Sequence, residues 1–190
     1  TKMAAMSPSE KSYFETSVLA HAKHRIAWLL ILMFSATITG TIITRYENAF
    51  AAIPLLVSFI PMLMDTGGNC GSQSSTLIIR GIALGEIQFS DLFRVMFKEF
   101  RVSLIVGVAL ALANGIRILI MYKNAGLALV IGLSLVATIV ISKLIGCVLP
   151  LIAKKLHMDP AIMASPLITT LVDTCSILIY FNIATQVFQL

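Results

Sequence analysis

Residues 159–181 read DPAIMASPLITTLVDTCSILIYF, and beyond Asp159 the one charge in this apolar stretch is Asp173, near its centre. A helix crosses a bilayer with about 20 mostly apolar residues, so the stretch predicts a membrane-spanning helix. The polar residues that share one narrow stripe of that helix are Ser165, Thr169, Asp173, Ser176 and Tyr180. A charge at bilayer depth costs about 2.5–3.5 kcal/mol on insertion scales. We therefore expect this stripe to face water, an ion or a partner.

The composition predicts a polytopic, all-α membrane protein. The chain has 190 residues, of which 58% are hydrophobic and 12% charged, and its mean hydropathy is +0.94. A soluble domain carries about 25% charged residues, so we expect residues 1–190 to form one membrane domain. The opening residues lack the features of a signal peptide, and we expect the chain to be the membrane part of a longer protein.

Apolar segments divide the chain into five predicted spans, near 26–44, 49–79, 102–121, 125–149 and 160–188. Most of the 14 basic residues fall on one side of this arrangement. The positive-inside rule then predicts a cytoplasmic-membrane protein with residues 1–25 as a cytoplasmic lead-in and an outside C-terminus. The net charge of +5 is explained by basic residues that set the topology and contact anionic lipid, so nucleic-acid binding is not expected. Residues 80–101 predict a cytoplasmic amphipathic connector, either on the membrane surface or as a docking face for a soluble domain.

Residues 61–73, PMLMDTGGNCGSQ, place Pro61 and three glycines inside the second span. Proline and glycine predict a broken backbone there, which a membrane tolerates where protein covers it or water lines it. The polar residues of one face of this span are Asp65, Asn69, Ser72, Gln73 and Thr76. Small residues that pack helix on helix explain the glycines, but they do not explain this polar face.

Two polar stripes, each with a central carboxylate, predict a hydrated path for a cation. Oxygen ligands suit a hard ion such as Mg²⁺ or Ca²⁺. Mg²⁺ keeps several waters, so one acid per chain can hold it through its hydration shell, whereas Ca²⁺ takes roughly six to eight direct oxygens. The alternative is a structural Asp173, either protonated or paired with Lys143 or Arg117, two cations that can otherwise snorkel to the headgroups.

Three stretches resemble the MgtE family of magnesium channels and transporters: PMLMDTGGNCGSQSSTLIIRGIALGEI (61–87), IGLSLVATIVISKLIGCVLP (131–150) and DPAIMASPLITTLVDTCSILIYF (159–181). The resemblance implies a homodimer with five transmembrane helices per subunit and an ion path near the two-fold axis, lined by the second and fifth helices. It also implies that Asp173 recognises a largely hydrated Mg²⁺, the transported ion. Our candidate ion-path residues are Asp173, Asp65, Asn69, Thr169, Gly68, Gln73, Ser165 and Ser176.

The chain also departs from the family pattern. Family members usually carry regulatory soluble domains ahead of this region, so we expect a missing cytoplasmic regulatory domain or a natural short form. Asp65 stands where a small or uncharged residue is expected, and Ala164-Ser165 precedes Pro166 where Ser followed by Gly or Asn is more usual. An extra acid beside the path can add an ion site or change selectivity.

Three alternatives to a cation path are a coupled carrier, an enzyme and a purely structural membrane subunit. The structural subunit would tolerate Asp173→Ala without losing ion flux. The nearest rival is a Na⁺- or H⁺-coupled carrier of divalent cations on the same fold. An enzyme is not expected, because no GxSxG, HExxH or Cys/His catalytic pattern occurs. The histidines also lie far from Asp173 in predicted depth, at His21, His24 and His157.

Overall fold

A computed structural model of the chain describes residues 14–163 and 165–189. The α-helices are α1 (Val18–Arg45), α2 (Glu47–Ala52), α3 (Ile60–Ala83), α4 (Leu92–Tyr122), α5 (Ala125–Lys155) and α6 (Ser165–Phe188). Short 3₁₀ turns occupy Pro54–Phe59, Phe89–Asp91 and Pro160–Met163. No strand occurs among the described residues, and the all-α prediction is confirmed. The first 13 residues of the predicted cytoplasmic lead-in lie outside the described part.

Within the described part of the chain, four helical segments are long and apolar enough to cross a membrane: Val18–Arg45, Phe89–Tyr122, Ala125–Lys155 and Pro166–Phe188. They correspond to the first, third, fourth and fifth predicted spans. The second predicted span, 49–79, is divided between α2, a 3₁₀ turn and α3. α3 is a long helix, but its glycines and polar residues lower its hydropathy. Its membrane passage therefore depends on what covers its polar face.

The broken backbone predicted at 61–73 is wrong. α3 is one continuous helix from Ile60 to Ala83, with Pro61 in its first turn and the glycines inside it. Proline is tolerated at that position because an N–H in the first turn of a helix has no intrahelical acceptor, so its absence loses no hydrogen bond. The irregular backbone instead precedes Pro61, in the 3₁₀ turn Pro54–Phe59.

α4 and α5 form a tight antiparallel hairpin. Lys123 ends α4 in a left-handed conformation with φ of 50°. The Asn124 side chain accepts a hydrogen bond of 2.9 Å from the N–H of Leu127, which caps the start of α5. The two-residue connector agrees with the tight turn predicted at residues 123–126.

Residues 80–101 do not form a separate surface helix, because residues 92–101 are the first turns of α4. The apolar side chains predicted for one face are divided between two environments. Phe89, Leu92 and Met96 pack against a buried cluster of Ile78, Cys147 and Leu151. Phe93 and Phe97 are 80% and 64% exposed. One side of the connector therefore packs against the ends of α3 and α5, and its other side is exposed.

The core lies between α3, α5 and α6. Its largest cluster includes Leu63, Ile131, Leu135 and Phe181, all buried. Tyr180 is buried with them, and its hydroxyl donates to the carbonyl of Leu56 at 2.7 Å. Lipid tails are as apolar as leucine, so in a membrane such helices associate through close packing and polar contacts rather than through the hydrophobic effect.

Candidate functional site

Glycines of α3 bring this helix into close contact with α6. A Cβ atom added to Gly68 would lie 2.9 Å from Cγ2 of Thr169. A Cβ atom on Gly67 would lie 2.8 Å from Cγ1 of Val172. Both distances are too short for real carbon contacts, so these positions require glycine as long as the helices keep this separation. The packing interpretation of the glycines is thereby supported.

A second close contact joins α3 to α5. A Cβ atom on Gly146 would overlap the carbonyl oxygen of Gly71. Gly71 also meets α6, because its own Cβ would lie 2.7 Å from Cγ2 of Ile168. α3 is therefore fixed between α5 and α6, and this fixes which of its faces stays open.

The α3–α6 contact brings the two central carboxylates together. α3 and α6 are antiparallel, and Asp65 and Asp173 lie about one helical turn from the Gly68–Thr169 contact on their respective helices. The antiparallel packing therefore places the two carboxylates at the same level of the two helices. Asp173 is partly buried and Asp65 is exposed. Among the described residues, no cation forms an ion pair with either carboxylate.

The polar face of α3 is open on the single chain. Asn69, Gln73 and Thr76 are exposed and, with Ser72 and Leu77, line a groove of about 660 Å³. On a membrane-embedded chain, this groove would place amide and hydroxyl groups against lipid. Such groups normally face the bundle interior or water at that depth, so a second surface or a column of water is needed to cover the face.

The remaining candidate residues divide into two groups. Gly68 and Thr169 lie at the helix contact itself, and the Thr169 hydroxyl donates to the carbonyl of Pro166 at 3.0 Å. Ser176 is buried, donates to the carbonyl of Val172 at 2.7 Å and faces Gly67. Its hydroxyl is therefore directed into the protein rather than along the Asp173 face. Ser165 begins α6, and its side chain lies outside the described part of the structure.

Neither suggested cation partner pairs with Asp173. Arg117 donates to Oδ1 of Asn114 at 2.8 Å and lies over the ring of Phe59. Lys143 is 5% exposed, so its ammonium is directed into the protein rather than out toward lipid. Its ammonium lies 3.8 Å from Oε2 of Glu99. The reading of Asp173 as one half of a structural ion pair with either cation is therefore not supported.

The Glu99–Lys143 pair belongs to a buried network that the sequence analysis missed. Ser74 donates to Oε2 of Glu99 at 2.6 Å and accepts from Lys143 at 3.3 Å. The network links α3, α4 and α5 on the side of α3 away from the open groove. One sequence signal was available, because Lys143 and Glu99 are opposite charges on neighbouring long helices. Glu99 falls within residues 80–101, for which the sequence predicts a cytoplasmic amphipathic connector.

Asp65 and Asp173 are the carboxylates that the described part of the α3–α6 contact offers to a metal ion. Within residues 14–163 and 165–189, no group of three or more His, Cys, Asp or Glu side chains could hold one. Mg²⁺ requires octahedral oxygen coordination and usually keeps several waters. Around Asp173, the other oxygen ligands would therefore be amide, hydroxyl or carbonyl groups and water.

Comparison with known proteins agrees with this architecture. Residues 60–183 match the sequence profile of the MgtE family, described as a divalent cation transporter. The magnesium transporter MgtE of Bacillus subtilis is 40% identical over 172 residues, which cover 90% of this chain and 38% of that protein. The magnesium transporter MgtE of Thermus thermophilus is 34% identical over 184 residues, which cover 96% of this chain and 40% of that protein. The chain thus spans about two-fifths of the length of these relatives, and it belongs to the MgtE family.

Proposed function

We propose that the chain moves divalent cations, chiefly Mg²⁺, across the cytoplasmic membrane through a pore between two copies. The observation that carries this proposal is the pair of carboxylates, Asp65 and Asp173, on adjoining polar faces without a described cation partner. Both similar proteins are named magnesium transporters, which supports a transport function rather than catalysis.

The open groove on α3 supports a dimer. Its side chains would face lipid on a lone subunit, and a two-fold axis beside α3 and α6 would place the same groove of a second copy opposite. Polar surface would then line a common water-filled path, with α3 contributing membrane passage despite its low hydropathy. This arrangement gives five spans per subunit.

Asp173 recognises the ion through water in this proposal. The Mg²⁺–water distance is about 2.1 Å, and a charge-assisted hydrogen bond from that water adds about 2.7 Å. Each carboxylate oxygen would therefore sit about 4–5 Å from the ion, and two copies of Asp173 could hold a hydrated Mg²⁺ between them. Contact through water is weak enough to release the ion, as conduction requires.

Flux measurements in proteoliposomes test the assignment of Asp173. With a Mg²⁺ gradient alone, we expect wild-type flux, loss of flux or selectivity in Asp173→Ala, and weaker recognition in Asp173→Asn. Glu47→Ala is the matched control, because it removes an exposed carboxylate outside the α3–α6 contact. Flux and selectivity that survive both Asp173 changes would show that another group recognises the ion.

A coupled carrier is the second candidate function, and Asp65 favours it. A second carboxylate about one helical turn from the same helix contact as Asp173 offers a place for a Na⁺ ion or a proton. Transport by such a carrier would stall until a Na⁺ or pH gradient is supplied. Channel function predicts flux without either gradient, together with single-channel currents.

The proposal also places the N-terminus in the cytoplasm, where a regulatory domain would precede the membrane part. The uneven distribution of basic residues supports this orientation, and the greater length of the relatives is compatible with further domains. A reporter enzyme that is active only on the non-cytoplasmic side of the membrane, fused to the C-terminus, should be active. An inactive reporter would reverse the orientation.

A further inference from the structure

The first turns of α4 carry a row of three cations. Arg94, Lys98 and Arg101 are spaced four and three residues apart, so they share one face of the helix, and all three are exposed. With Phe97, they line a groove of about 450 Å³ that continues to Val102 and Ile105. The Arg101 guanidinium lies 5.9 Å from the centre of the Phe97 ring.

The acids of this segment are directed elsewhere. Glu99 is buried against Lys143 and Ser74. Asp91 accepts a hydrogen bond from the backbone N–H of Gln88. In the part of the chain that the structure describes, no carboxylate forms an ion pair with the three cations. Three positive charges therefore share this face without a countercharge, which favours an anionic occupant.

An apolar groove follows on the same side of α4. Ile105, Val108 and Leu112 extend the line of the cations at helical spacing, and a groove of about 350 Å³ runs between α4 and α5. Two glycines, which bring no side chains, keep it open. A Cβ atom on Gly115 would have no neighbour within 4 Å, and one on Gly132 would meet only Cβ of Ala111, at 3.8 Å.

The groove continues from the cations into the membrane. It begins on α4 at Val108, seven residues or about 10 Å beyond Arg101, and is lined as far as Leu119. Val102 and Ile105, which line the groove of the cations, lie between the two. The cations lie before the apolar part of α4, at the level where lipid phosphates are found, so the distal part of an acyl chain would reach the groove between α4 and α5.

We propose that Arg94, Lys98 and Arg101 bind the phosphate of an anionic glycerophospholipid, whose acyl chain lies in the groove between α4 and α5. The charge complementarity selects an anionic headgroup, and the groove selects a lipid over a free phosphate. The site lies on α4, which packs on α5, and it does not depend on the ion path at Asp173.

Native mass spectrometry of the purified protein tests the proposal by titration with phosphatidylglycerol and with phosphatidylcholine of the same acyl chains. Each basic residue near an anionic surface contributes about fivefold. Arg94→Gln/Lys98→Gln/Arg101→Gln should therefore weaken phosphatidylglycerol binding by about 100-fold. Arg94→Lys/Arg101→Lys keeps the charges and should retain most of the binding. A control variant removes three exposed cations elsewhere, as Lys23→Gln/Arg25→Gln/Lys155→Gln. It should retain phosphatidylglycerol binding as well.

Two further measurements address the groove and the source of the phosphate. Gly115→Leu should fill the groove and weaken binding of the lipid while circular dichroism and thermal unfolding stay as in wild type. Inorganic phosphate at millimolar concentration should not displace the lipid. Equal loss in the Lys23/Arg25/Lys155 control, unchanged binding in Gly115→Leu, or ready displacement by phosphate would each overturn the proposal.

Discussion

The buried pair of Glu99 and Lys143 allows a quantitative prediction about stability. The two charges are 3.8 Å apart, and their side chains are 12% and 6% exposed. At an effective dielectric constant of about 20, their attraction is about 4 kcal/mol. Removing one partner leaves the other charge buried and unpaired, which typically costs about 3–5 kcal/mol. Removing both leaves no unpaired charge.

We therefore expect Glu99→Met and Lys143→Met each to lower the free energy of unfolding by about 3–5 kcal/mol. The double variant should lie within about 2 kcal/mol of wild type, because apolar replacement of a buried pair is often close to neutral. The coupling between the two positions should then be at least about 4 kcal/mol, measured as a double-mutant cycle.

Equilibrium unfolding in mixed micelles, followed by circular dichroism, measures these differences. Arg117→Met is the matched control, since Arg117 is exposed and its contacts, with Asn114 and the Phe59 ring, are those of a surface cation. Its loss should cost less than about 1 kcal/mol. If Glu99→Met and Lys143→Met cost as little as the control and add without coupling, the network does not stabilise the α3–α4–α5 contact.

Two further predictions concern α3 and its contacts. Gly146→Ala should lower the unfolding free energy by at least about 1–3 kcal/mol, because its Cβ would overlap backbone of Gly71 and a helix must shift. Gly115→Ala, with open space around the new atom, should leave thermal unfolding unchanged or slightly raise its midpoint; equal losses for both would refute the contact. Asp65→Gly should give a folded protein whose flux assay shows an altered preference among divalent cations, whereas unfolding would show that the acid is structural.

Local sequence patterns predicted the helices and the position of the carboxylates. Four apolar spans follow from composition alone, and the 3.6-residue period placed Asp65 and Asn69 on one open face of α3. Pro61 was misjudged because its effect depends on its place in the helix. It breaks an interior turn, but it fits the first turn, and the sequence did not show where α3 begins.

Tertiary contacts account for the other differences. Ser176 lies three residues from Asp173, which is about 60° around the helix. Because α3 packs on that side of α6, the Ser176 hydroxyl faces Gly67. Lys143 is long enough to reach the headgroups or a neighbouring helix. Only the packing of α4 against α5 brings Glu99 within reach of its ammonium.

The two-residue connector Lys123–Asn124 has a consequence for how two charges in apolar helices are neutralised. Taken alone, α5 would carry an ammonium within an apolar span, and α4 would carry a carboxylate near the start of its own span, both at an energetic cost. The short connector keeps the two helices adjacent and antiparallel, with Lys143 and Glu99 3.8 Å apart. The α4–α5 hairpin therefore contains both charges of the pair, and Ser74 of α3 completes their hydrogen bonds.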